Sequence, residues 1–75
     1  MKNIIYTVYT VDGKEWESTV MELKDGELEP AREICRNAGS LSHLAFDVND
    51  AFGRKATMFF PGDKIVAMRL TEVEG

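Results

Sequence analysis

The sequence predicts an α+β fold: a small, mainly antiparallel sheet, or a partly closed barrel, in the order β-β-α-β-β-β with one short amphipathic helix. Three observations lead there. Runs of β-branched and aromatic residues recur along the chain, as in "NIIYTVYTV" at 3–11 and "KIVAMRLTEV" at 64–73. Asp-Gly, Asn-Asp and Pro-Gly punctuation separates the runs at short, regular intervals. Only "LEPAREICRNAG" at 28–39 has a helical period, and sequential hairpins with so little helix imply antiparallel pairing with the helix laid on the sheet. Seventy-five residues make a single domain, 1–75, that buries only about 60% of its unfolded surface.

In chain order, residues 3–11 form the first strand, and "DG" at 12–13 predicts a tight hairpin. The return strand is expected from Lys14 to about Leu23. A two-residue loop places Tyr9 opposite Trp16, Ile5 opposite Val20 and Val8 opposite Glu17, a register favoured by the aromatic pair. "KDGE" at 24–27 is a second turn. In the helix, Ala31, Ile34, Cys35 and Ala38 fall at i, i+3, i+4 and i+7. Pro30 suits the first helical position and Gly39 the left-handed residue past the end.

"SHLAFDV" at 42–48 alternates, with Leu44, Phe46 and Val48 on one face. "NDAFG" at 49–53 turns the chain into "RKATMFF", which is expected to pair through "PGD" with the last strand. A single glycine leading into a strand is unlike a phosphate loop, which leads from a strand into a helix. Pro61 and Gly62 fit a type II turn instead. A two-residue loop there puts Met58 opposite Ile65 and Lys55 opposite Met68. A three-residue loop puts Met58 opposite Val66 and Ala56 opposite Met68, and the sequence leaves both registers open.

Nine Lys and Arg against thirteen Asp and Glu give a net charge of −4, and no basic run is present. That disfavours nucleic-acid binding, which releases counterions from phosphates through clustered cations. No apolar run approaches the ~18 residues of a membrane span. One cysteine permits no intrachain disulfide, and the N-terminus carries no basic segment leading into an apolar core, so the cytoplasm is the expected compartment.

Chemistry-bearing residues are sparse. Cys35 lies on the apolar stripe of the helix and reads as a small buried hydrophobe, and His43 with Cys35 is too few ligands for zinc. No catalytic residue, metal site or cofactor is expected. Glu15 and Glu17, on one side of the second strand, read as charges that protect a sheet edge. Arg54 and Lys55 are the adjacent basic pair that suits a small anion site.

On the expected register Tyr9, Trp16, Ile5, Val11 and Val20 share one face, while Ile4, Tyr6, Val8, Met21 and Leu23 take the other. A helix of about ten residues is only ~15 Å long and covers one face of a few strands. The sheet therefore either closes on itself or presents a binding surface. The expected function is a small non-enzymatic interaction module, of the accessory or regulatory kind. It would bind a protein partner or pair as a homodimer through Tyr9, Val11, Lys14 and Trp16. The alternative is an OB- or SH3-like nucleic-acid binder with Tyr9 and Trp16 as stacking residues.

Overall fold

The turn at Asp12-Gly13 is one residue longer than expected, and much of the architecture follows from that. In the computed structural model, which describes residues 1–74, residues 11–14 join β1 (Lys2–Thr10) to β2 (Glu15–Glu17), and Thr10 pairs with Lys14 across a three-residue loop of Val11, Asp12 and Gly13. Thr10 N–H donates to the Lys14 carbonyl and Gly13 N–H to the Thr10 carbonyl, both at 3.0 Å. Gly13 sits at φ 83°, the left-handed position that ends a three-residue hairpin loop. Asp12 Oδ1 accepts from the Lys14 N–H and the Thr10 hydroxyl, which holds the loop.

The extra loop residue moves the register by one. Val8 faces Trp16, Tyr9 faces Glu15 and Thr7 faces Glu17, in place of the expected Tyr9–Trp16 pair. A one-residue slip sends every side chain to the opposite side of a sheet. Trp16 therefore joins Ile4, Tyr6 and Val8, whereas Tyr9 lies on the other side with Glu15 and Glu17 opposite its strand.

The return strand is also broken in two. β3 (Met21–Leu23) pairs with β1 as Ile4–Met21 and Lys2–Leu23, which is the register expected from sequence. Ser18, Thr19 and Val20 absorb the one-residue difference. At that break Ser18 N–H donates to the Tyr6 carbonyl at 2.8 Å, and the Ser18 hydroxyl accepts from Tyr6 N–H at 2.9 Å. The side chain thus supplies the acceptor that a regular ladder would take from the backbone.

Helix α1 (Leu28–Arg36) places Pro30 third rather than first, and Gly39 falls in a 3-10 turn (Ala38–Ser40) instead of a left-handed cap. Gly26, at φ 88°, takes the left-handed position in the turn before the helix. Glu29 in the first turn and Arg36 in the last complement the helix dipole. Ala31 and Ala38 are buried and Cys35 is half-buried, but Ile34 is 40% exposed, so the apolar stripe is narrower than its spacing suggests.

β4 (His43–Asn49) and β5 (Lys55–Pro61) form a second hairpin, in the register Phe46–Met58 and Val48–Ala56. Its loop repeats the first: Gly53 stands at φ 77°, and Asp50 Oδ1 accepts from the N–H groups of Phe52 and Arg54 at 2.8 and 2.9 Å. β6 (Ile65–Val73) then pairs with β1, not with β5, as Tyr6–Leu70 and Val8–Met68. The hairpin expected at Pro61-Gly62 is thus a corner between sheets, and neither register considered for it occurs. Gly62 lies in a 3-10 turn (Gly62–Lys64), is buried, and donates its N–H to the Ser42 carbonyl at 3.2 Å. Glycine is needed there because an added Cβ would overlap the Leu41 carbonyl.

The result is a sheet with β1 at its centre, β2 and β3 along one edge and β6 along the other, beside the separate β4–β5 ribbon. Among the described residues no ladder joins β5 to β6, so the sheets stay open rather than closing into a barrel. The molecule measures 33 × 32 × 17 Å, thin enough for two layers about 10 Å apart. Ile4, Tyr6 and Val8 meet Phe46, Val48, Phe60 and Ile65 in the core. Tyr6 stacks on Phe46 (centroids 6.4 Å), Phe46 packs on Phe60 (5.1 Å), and Trp16 meets Phe60 edge-on (6.2 Å). Each such pair adds ~0.5–1.5 kcal/mol beyond its burial.

Candidate functional site

The slipped register brings Trp16 to the rim of the core, where it is half-buried and borders two adjoining clefts. The larger, about 740 Å³, lies between β2 and the β4–β5 hairpin, with Trp16, Val48, Ala56 and Met58 as its apolar lining and Glu15, Glu17 and Asp50 around it. The smaller, about 320 Å³, is lined by Val11, Trp16, Met58, Phe60, Pro61 and Lys64. Trp16 and Met58 belong to both. The smaller cleft, with an aromatic wall and few polar groups, has the usual form of a binding site, and carboxylates rim the larger one.

The residues expected to form one binding face are divided. Trp16 and Val11 reach the clefts, and Val11 is 60% exposed although its N–H is bound to the Lys64 carbonyl at 3.0 Å. Lys14 is exposed in the hairpin turn. Tyr9 is on the opposite side of the sheet, where the Arg69 guanidinium lies 5.9 Å from its ring centroid and reaches Glu15 at 3.9 Å. That side is mixed, with Ala67 and Val73 of β6 beside its polar residues, and is not continuously apolar. Around Ile5, Thr7 and Tyr9 the register sets Arg69 and Thr71 on β6 and Glu15 and Glu17 on β2. Thr7 is fully buried there and its hydroxyl has no partner.

Arg54 and Lys55 do not stand free for an anion. Arg54 Nε donates to Asp50 Oδ2 at 2.9 Å and its guanidinium lies 5.1 Å from the Phe52 ring centroid, while Lys55 is 4.0 Å from Asp47. Arg32 binds Glu29 and Glu72, and Arg36 binds Glu33. Hydrogen bonds from the Arg54 and Phe52 N–H groups and from the Arg54 side chain hold the Asp50 carboxyl below the usual range. The Thr10 hydroxyl, with the Lys14 N–H, does the same for Asp12. Among the described residues Glu17 makes no ion pair.

Cys35 lies beneath the helix near Tyr6, where burial pushes its thiol up. Tyr6 is raised by its own burial and by the nearby thiol. A thiol held protonated is a poor nucleophile. His43 is exposed beside Ser42, with 3.2 Å between Nδ1 and the hydroxyl. Among the described residues no three His, Cys, Asp or Glu side chains converge as a metal site, and no helix is long and apolar enough to cross a membrane.

Met58 and Asp50 were not singled out by sequence reasoning, and Val48 was placed only on the apolar face of its strand. The alternation of β4 put Val48 on an apolar face, but only the fold brings it, with Met58, against Trp16. No family model matches the chain, and no curated protein or solved structure matches it.

Proposed function

We propose that the chain is a small, non-enzymatic interaction module of the accessory or regulatory kind, which binds a protein partner, or a second copy of itself, through the clefts at Trp16. The observation that carries this reading is the position of Trp16 between two clefts that share its ring and Met58 as an apolar wall, with Val11 exposed at the edge of the smaller. Tryptophan and methionine are enriched where protein partners dock, and a half-buried tryptophan already ordered against Phe60 loses little freedom on binding. The module would work in the cytoplasm, where a lone thiol such as Cys35 stays reduced. The nucleic-acid alternative draws no support from the geometry, because Tyr9 and Trp16 are on opposite sides of the sheet and carboxylates border the larger cleft.

The test pairs affinity capture from a host lysate with light scattering at about 100 μM protein. Val11→Asp alters an exposed side chain and Trp16→Ala a cleft wall, and circular dichroism checks that both variants fold. Capture of a defined protein, or self-association, that both variants abolish supports the reading. A wild-type chain that stays monomeric and retains nothing, or retention indifferent to both variants, overturns it.

A further inference from the structure

The two hairpins meet along strand edges that begin to pair and then separate. In an antiparallel ladder, bonded and non-bonded pairs alternate. Thr10 N–H donates to the Lys14 carbonyl and Ser18 N–H to the Tyr6 carbonyl, so Trp16, midway between, is bonded toward Val8. The N–H and C=O groups of Glu15 and Glu17 consequently point away from β1. On β4, Asp50 N–H donates to the Arg54 carbonyl, which turns Val48 toward β5 and Asp47 and Asn49 away from it.

These two outward edges touch at one rung, where Thr19 N–H donates to the Asp47 carbonyl at 2.8 Å. Counted on from that rung, Glu17 would face Asn49 and Glu15 would face Ala51. Among the described residues neither pair bonds, and the larger cleft lies between them. The edge of β2 thus has unused backbone donors and acceptors bordering a cleft of about 740 Å³.

From this, and resting on the interaction-module reading above, we infer that the cleft takes an extended peptide segment of a partner protein, alternating apolar and basic residues, which adds as a strand to the β2 edge. Strand addition draws affinity from main-chain bonds and specificity from alternate side chains. Here the alternation is dictated by β2. A residue opposite Trp16 shares its side of the sheet and meets Trp16, Val48 and Met58. Residues opposite Glu15 and Glu17 share the other side and meet carboxylates, of which Glu17 has no cation of its own. A second copy of the chain fits this edge poorly, because antiparallel pairing of β2 with itself sets Glu15 against Glu17, and opposed like charges are destabilising.

The probe is a blocked hexapeptide alternating valine and lysine, titrated into isotope-labelled protein. Binding should shift the amide signals of Glu15, Glu17 and Asn49 and protect the Glu15 and Glu17 amides from exchange. N-methylation of the lysines removes the N–H groups that would donate to the Glu15 and Glu17 carbonyls and should abolish binding, whereas N-methylation of the valines should leave it intact. Glu17→Lys should weaken binding about five- to tenfold. A lysine-methylated peptide that binds equally well reduces the interaction to charge attraction and overturns strand addition. No response at Glu15 and Glu17 overturns it also. If partner capture still depends on Val11 and Trp16 while the peptide fails, the module reading stands and strand addition alone falls.

Discussion

Val8 and Trp16 stand opposite each other across the first hairpin, which puts the only tryptophan on the core side of the sheet, against Phe60. Tyr9, one residue along, faces the other way under Arg69.

This division predicts unequal costs. Trp16→Ala removes a half-buried aromatic from the rim of the core and should cost about 2 kcal/mol, below the ~3–5 kcal/mol of a fully buried one. Tyr9→Ala should cost less than about 1 kcal/mol, because it loses one exposed cation–π contact and partial burial. Urea denaturation of the two variants measures both, and equal costs would argue for a shared face.

The break between β2 and β3 depends on one hydroxyl. Ser18 is buried and accepts from the Tyr6 N–H. Ser18→Ala strands that donor in the interior and should cost ~1–3 kcal/mol. Ser18→Thr keeps the hydroxyl and should recover part of the loss, measured in the same denaturation experiment.

The two glycines of the middle of the chain should exchange the importance that their sequence context suggests. Gly39, which looks like a helix cap, has right-handed backbone and open space around its Cα, so Gly39→Ala should be neutral or slightly stabilising. Gly62→Ala forces a Cβ into the Leu41 carbonyl and should cost about 3 kcal/mol, the upper end for overpacking. Melting temperatures of the two variants decide the point.

Acid should loosen the hairpin loops. The Asp50 carboxyl is held below its ordinary value first by the Arg54 N–H, then by the Phe52 N–H and the Arg54 side chain. Its folded pKa is therefore depressed. The stability it contributes is present above the ordinary carboxylate value of 3.8 and is lost as pH falls through the lower folded value. Asp12 adds a loss of the same sign. Asp50→Asn keeps an oxygen for the two N–H groups but has no charge to lose, so its melting temperature should fall less than that of wild type between pH 5 and pH 2.

The existence and order of the elements were legible because their signals are local: alternation in β4, the helical period of α1 and the strand runs of β1 and β6. Loop length was not. Asp-Gly closes a two-residue loop, but it equally ends a three-residue one when an aspartate side chain can accept from the turn, as Asp12 and Asp50 do. That one residue decided which side of the sheet Trp16 took and dissolved the apolar surface expected around Tyr9. Pro61-Gly62 misled for a different reason. Its glycine answers to Leu41, twenty-one residues away in the chain, and a contact of that separation leaves no mark on the local pattern. Ser18 carried a signal in retrospect, a small hydroxyl where the alternation of the return strand fails.

The cleft, its open edge and the position of Trp16 all depend on the register of the first hairpin, and proton NMR reads that register directly. Non-bonded antiparallel pairs bring their Cα atoms, and hence their α-protons, closest together. The Val8–Trp16 register predicts strong cross-strand α-proton contacts between Tyr9 and Glu15 and between Thr7 and Glu17. Contacts between Val8 and Glu17 or between Thr10 and Glu15, the non-bonded pairs of a two-residue loop, would contradict it, returning Trp16 to the side of Tyr9 and removing the cleft.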